Sequence, residues 1–224
     1  MNKKQTISTK TLVGVALLTA IVVVLQLLGS FIRFGVFSVS LVLIPIVIGA
    51  ALYGAGAGAW LGAAFGVTVL LSGDAGAFLV ISPIGTIITV MVKGTLAGLA
   101  AGLAYRAVVK VDHRLDVLAD EGDAKKVTKA ADSWFDRNGK LIATVVAAVV
   151  CPVVNTGVFL LGCLCFFMSA VTEWAEAAGF GGNVGAYMIV GFVGLNFLFE
   201  LLFNVILSPV VVRILTAFKK ISSD

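Results

Sequence analysis

Three sets of polar residues lie inside apolar runs of this 224-residue chain, and their spacing is the first sign of chemistry. Ser82, Thr86, Thr89 and Lys93 follow one another at intervals of 4, 3 and 4. That spacing places all four on one face of a helix. Asn196, Glu200 and Asn204 recur every fourth residue, and Asn155 and Thr156 stand together in a third apolar run. Ionisable and amide side chains are costly in hydrocarbon, so each is a candidate functional group. Their chemistry is that of recognition. Lys93 offers a cation for an anionic group, and Asn155 and Asn196 offer amide donors and acceptors that orient a ligand. The structural alternative is a Lys93–Glu200 ion pair that merely ties two helices together, with Asn204 as hydrogen-bonding glue between helices.

A second set lies between apolar runs: Phe31, Arg33, Phe34, Phe37 and Asp74. Aromatic rings and a cation at the mouth of a site can stack on a ring or hold a carboxylate. The alternative is an interfacial belt with an anchoring arginine. Trp60 reads as packing or lipid-facing, and the sole histidine, His113, has no cluster around it. Cys151, Cys163 and Cys165 share one apolar run with no metal-ligand spacing and no disulfide framework, so they read as small apolar side chains. No metal site or cofactor is expected. Neither HExxH, GxxxxGK[ST] nor an arguable Ser/His/Asp set is present, and nothing points to an enzyme.

The elements that must position these residues are membrane spans. Hydrophobic residues make up 60% of the chain and charged residues 12%, with a mean hydropathy of +1.10. Soluble domains carry about 25% charged residues. The 25 glycines suit close packing of membrane helices. Thr11 to Gly29 is an uncharged run of 19 residues after Lys3, Lys4 and Lys10, just long enough to cross about 30 Å of hydrocarbon. It is longer than the apolar core of a signal peptide and reads as a retained first helix. Within it Ala16 and Ala20 place two small side chains one turn apart, where another membrane helix can approach closely.

Phe34 to Gly73 holds 40 residues without a charge, too many for one ordinary crossing. Gly54-Ala55-Gly56-Ala57-Gly58 marks the break. A second helix is expected at 38–53, a third at 55–72, a loop at 73–77 and a fourth helix from Pro83 to about Tyr105. Residues 109–140 hold seven basic and seven acidic residues and read as a soluble connection with short amphipathic helices. A fifth helix is expected within 141–172, a polar loop around Glu173–Glu176 and 179–185, and a sixth helix over 187–212. The fold class is therefore an all-α bundle of six transmembrane helices. It forms a single membrane domain over 1–224, with 109–140 as its cytoplasmic connection. Six spans put both termini on one side. Of the 16 Lys and Arg, 14 then fall in the N-terminus, the 109–140 side or the C-terminus, which gives an N-in, C-in topology. The net charge of +4 reflects this topology rather than nucleic acid.

The order of features resembles the substrate-binding S components of energy-coupling factor transporters. It is carried by the basic N-terminus, Ala16 and Ala20, Leu43-Ile44-Pro45-Ile46-Val47-Ile48-Gly49-Ala50, Leu52-Tyr53-Gly54, Ile81-Ser82-Pro83 and Cys151-Pro152-Val153-Val154-Asn155-Thr156. It covers about residues 10–215 and leans to the pantothenate-type and riboflavin-type branch. The resemblance implies a six-helix subunit of the prokaryotic plasma membrane that binds a vitamin without an ATPase of its own. It implies association with a transmembrane coupling subunit, through Ala16 and Ala20, and with two cytoplasmic ATP-binding subunits. It also implies a site covered by the loops at Arg33/Phe34 and Asp74, with pantothenate as the leading substrate and riboflavin as the second. Two features depart from the family pattern. Gly-Ala-Gly replaces an expected proline after Gly54, and the 109–140 connection is long. Readings of other classes are a stand-alone proton-coupled transporter acting through Glu200 and a membrane scaffold built on 109–140.

Overall fold

A computed structural model describes residues 9–31, 33–34, 37–38, 41–120 and 128–221. The order of elements is α1 (Thr9–Gly29), β1 (Arg33–Phe34), β2 (Phe37–Ser38), α2 (Leu43–Tyr53), α3 (Ala55–Leu71), α4 (Gly76–Ile81), α5 (Pro83–Asp120), α6 (Thr128–Phe166), α7 (Met168–Ala177), α8 (Val184–Ala186), a π-helical turn (Tyr187–Phe192) and α9 (Gly194–Ile221). The all-α reading holds, apart from a two-residue ladder that pairs Arg33 with Ser38 and Phe34 with Phe37.

Four helices are long and apolar enough to cross a membrane: Thr9–Gly29, Pro83–Lys110 within α5, Gly139–Phe166 within α6 and Gly194–Ala217 within α9. The 11-residue α2 and 17-residue α3 are shorter apolar helices. At about 1.5 Å per residue, α2 rises only about 16 Å. The expected helix over 38–53 is thus corrected at its start, because Phe37-Ser38 forms the ladder and helix begins at Leu43. Its other boundary lies where the sequence places it. Gly54 has φ 93° and ψ 176°, a backbone conformation open to glycine, and it separates α2 from α3.

Other expected boundaries shift for identifiable reasons. The loop at 73–77 is shorter than its reading, since α4 starts at Gly76. α5 continues past Tyr105 to Asp120, and α6 starts at Thr128. The short separate helices expected over 109–140 are therefore extensions of α5 and α6. No glycine or proline interrupts 103–120, and extending a formed helix costs far less than nucleating a new one. The stretch around Glu173–Glu176 is helical, as α7, because Ala170, Val171 and Ala175 bury one face. The expected helix over 187–212 opens with the π-helical turn before α9.

α5 packs along both α3 and α6, and α6 along α9. The α3–α5 contact is made by glycines at four-residue intervals. A Cβ at Gly58 would collide with the Gly98 carbonyl, one at Gly62 with the Gly94 carbonyl, and one at Gly102 with the Ala55 backbone. Small residues let the two backbones touch, which in a bilayer replaces the hydrophobic drive that water supplies. Gly62→Val therefore lowers the melting temperature of the detergent-solubilised protein sharply, since overpacking a tight contact costs about 1–3 kcal/mol. Gly56→Ala is the control. Nothing lies within 4 Å of its Cβ position, and that variant keeps or gains stability.

Candidate functional site

The polar residues of the spans meet at a cavity of about 60 Å³. α5 supplies Lys93, and the α3–α4 turn supplies Asp74 after Gly73, whose φ is +83°. Asn155 and Thr156 come from α6, Asn196 and Glu200 from α9, and Gln26 from α1. Phe65, Phe78 and Phe159 complete the wall among apolar residues. Lys93 Nζ lies 5.7 Å from the Phe65 ring centroid and 5.1 Å from that of Phe159, within cation–π range of both faces. The negative charges of Glu200 and Asp74 act on it across the same space.

Each carboxylate is held by an amide from a helix. Asn196 Nδ2 donates to Glu200 Oε1 at 3.1 Å, one turn away on α9. Gln26 Nε2 donates to Asp74 Oδ2 at 2.5 Å, joining α1 to the α3–α4 turn. Ser30 Oγ lies 2.8 Å from the same Oδ2 and 2.8 Å from Gln26 O, with one proton for the two acceptors. Glu200 is 2% exposed, Gln26 1% and Asn155 5%. Carboxylates held this way, Glu200 buried and Asp74 partly so, keep a fixed orientation, because bonds to charged groups are the stronger ones.

The helical stripe of α5 is split. Lys93 faces the cavity, whereas Ser82, Thr86 and Thr89 do not line it. Ser82 Oγ accepts from Gly85 N at 3.3 Å, at the start of α5, as an N-cap does. Thr86 Oγ1 donates to Ser82 O at 2.7 Å, and Thr89 lies against Gly162 of α6. Asn204 Nδ2 donates to Glu200 O at 2.7 Å, within its own helix. Arg33 and Phe34 form the ladder, and their side chains lie outside the described residues, as does that of His113.

Gln26 is the residue that the sequence reading passed over, although it is the single amide in the first apolar run and intramembrane polar residues are functional candidates by default. Phe65 and Phe159 carried no sequence signal, because phenylalanine is ordinary in apolar runs. Gln26→Leu removes the amide that fixes Asp74. Loss of a hydrogen bond to a charged group costs about 1.5–3 kcal/mol, so substrate affinity falls by at least about tenfold. Asn204→Ala, away from the cavity, leaves affinity within about threefold. Equilibrium dialysis of both variants checks the contrast.

On α1, Ala16 and Ala20 are exposed together with Leu12, Leu17 and Val24, whereas Val22 and Gln26 are buried. Beside this face an apolar hollow of about 410 Å³ opens between α1, α2 and α9, lined by residues such as Gly14, Leu17, Ile21, Ile44, Leu52 and Phe203. Among the described residues, no group of three or more His, Cys, Asp or Glu forms a metal site.

The described residues thus form apolar helices, four of them long enough to cross a membrane, around a charged, amide-lined cavity, the make-up of a multi-pass membrane protein. The family model for the substrate-specific component of ECF transporters matches residues 10–212, and the chain belongs to that family. Its members are transporter subunits rather than enzymes, and they pair with ECF membrane and ATPase modules. No curated protein and no solved structure shows a match.

Proposed function

We propose that this S component binds a water-soluble vitamin at the Lys93 cavity, with pantothenate as its leading substrate. One observation carries the reading: four separate elements, α5, the α3–α4 turn, α6 and α9, bring Lys93, Asp74, Asn155, Asn196 and Glu200 to a single cavity in an otherwise apolar bundle. Pantothenate carries a carboxylate for Lys93, and hydroxyl and amide N–H groups for Asn155 and Asn196. Riboflavin is the second reading, supported by the aromatic wall of Phe65, Phe78 and Phe159, against which a ring system can pack.

A cavity of about 60 Å³ is well below the roughly 300–1,000 Å³ of ligand pockets. Binding therefore moves its walls. The parts that give way in this reading are α4 and the π-helical turn that precedes Asn196. π-turns are marginal geometry that recurs at functional sites.

In this reading the chain crosses the prokaryotic plasma membrane six times, with both termini and the 109–140 connection in the cytoplasm. The exposed Ala16/Ala20 face of α1 and the adjoining apolar hollow receive the transmembrane coupling subunit, which carries two ATP-binding subunits. The test is equilibrium dialysis of the purified protein with radiolabelled pantothenate, then uptake into vesicles with and without the coupling module. Saturable binding with module-dependent, ATP-dependent uptake supports the assignment. Uptake by the chain alone, lost in Glu200→Gln, supports a proton-coupled secondary transporter instead.

A further inference from the structure

We infer that the apolar hollow between α1, α2 and α9 is a lipid site, which takes one acyl chain of an anionic phospholipid and sets its headgroup against Lys10, Tyr53 and Arg106. The hollow measures about 410 Å³, and Tyr53 carries the one polar side chain of its described wall. A wall of that kind stays dry, so what lies against it is hydrocarbon. On α1 the wall runs from Gly14 through Leu17, Leu18 and Ile21 to Leu25. At about 1.5 Å per residue that is a depth of about 16 Å, half of a hydrocarbon core of about 30 Å. One acyl chain of one leaflet has that reach. Leu17, Ile21 and Phe203 are exposed, so the hollow is entered from the side on which the lipid lies.

Polar groups gather at one end of the hollow. Tyr53 ends α2 and reaches across to α1, since a Cβ at Gly14 would collide with its hydroxyl. The next residue, Gly54, lies against Arg106 of α5, because a Cβ there would collide with the guanidinium. Lys10 stands four residues before Gly14, on the same stripe of α1. Lys10 and Arg106 are both exposed. A phenol and two cations, from α1, α2 and α5, thus stand at the mouth of a dry cleft, where aromatic and basic side chains meet headgroups. A zwitterionic headgroup brings no net charge to them. An anionic one does, as in the basic pockets between membrane helices that hold acidic lipids. An apolar partner helix would match the hollow but leaves the two cations unanswered; a lipid answers both features at once. The lipid belongs to the chain on its own, since the coupling subunit, in the reading above, covers this face in the assembled transporter. The hollow shares no lining residue with the Lys93 cavity, so it is independent of which vitamin binds there.

The purified full chain is titrated with phosphatidylglycerol and with phosphatidylcholine of the same acyl chains, and bound lipid is counted by native mass spectrometry. The expected result is one retained phosphatidylglycerol, bound at least about tenfold more tightly than phosphatidylcholine. Lys10→Gln combined with Arg106→Gln weakens phosphatidylglycerol by about 20-fold, about fivefold for each basic residue near an anionic lipid, and so removes the preference. Lys140→Gln is the control. It removes an exposed charge on α6, outside the wall of the hollow, and leaves retention within about twofold. Ile21→Trp fills the hollow from its exposed side and lowers retention of both lipids by at least about tenfold. Equal affinity for the two lipids overturns the inference, and so does an equal loss in the Lys10/Arg106 variant and in Lys140→Gln. Undiminished retention in an Ile21→Trp variant that melts cooperatively overturns it as well, because the lipid then sits elsewhere on the surface. Retention of neither lipid also overturns it, and loss of coupling-module capture in Ile21→Trp would then assign the hollow to the partner protein.

Discussion

Tryptophan at both Ala16 and Ala20 abolishes capture of the ECF coupling module, yet substrate affinity in the isolated chain stays within about twofold of the parent. Both alanines are exposed on α1, whereas Val22 and Gln26 are buried. Large side chains there meet lipid rather than the bundle and leave the cavity wall untouched. Two short side chains one turn apart allow a partner helix to approach to backbone contact, where van der Waals packing supplies the association energy in a bilayer. Indole rings at both positions hold that partner away. The measurement is pull-down of the coupling module on the tagged chain, alongside equilibrium dialysis. Loss of assembly and binding together, in a protein that still melts cooperatively, assigns α1 to internal packing alone.

The second large effect is at Lys93. Lys93→Met keeps the length of the side chain and removes its charge. The single described cation of the cavity is lost while Asp74 and Glu200 remain. Removing one partner of a buried charge pair costs about 3–5 kcal/mol, so affinity for pantothenate falls by at least about 100-fold. Affinity for riboflavin, which brings no carboxylate, changes by less than about fivefold, since methionine still packs against Phe65 and Phe159. The same substitution lowers the melting temperature by removing the positive charge on which Glu200 and Asp74 act. Lys93→Met combined with Glu200→Gln recovers part of that loss, the non-additivity expected of interacting neighbours. Equal losses for both ligands would place Lys93 in the framework rather than in recognition.

The sequence held the architecture in the features that apolar length and turn chemistry control. Uncharged runs marked the helices, and Gly54 ended α2 as glycine at positive φ must. The start of α2 at Leu43 was not legible, because Phe37 and Ser38 are as apolar and small as helix residues and their ladder depends on pairing. The reach of α5 to Asp120 was hidden by charge. A run of Lys, Asp and Arg reads as a change of solvent, and a helix crosses that boundary freely so long as no glycine or proline stops it.

Part of the candidate cavity was legible too: Lys93, Asn155, Asn196 and Glu200 are out of place in hydrocarbon, Asp74 stood in the expected loop at 73–77, and all five reach the cavity. Spacing alone assigned Ser82, Thr86 and Thr89 to the Lys93 face, but a helix packed on two sides divides such a stripe between neighbours. Thr86 bonds its own helix and Thr89 meets Gly162. Long-range pairs were beyond reach of the sequence. Gln26 and Asp74 are 48 residues apart, and only the fold makes one the partner of the other.

The most direct test of vitamin recognition is native mass spectrometry of the purified chain after incubation with an equimolar vitamin mixture. One adduct is expected, at the mass of pantothenate, retained by Asn204→Ala and lost in Lys93→Met. A chain that stays bare in the mixture, or an adduct that Lys93→Met retains unchanged, contradicts it.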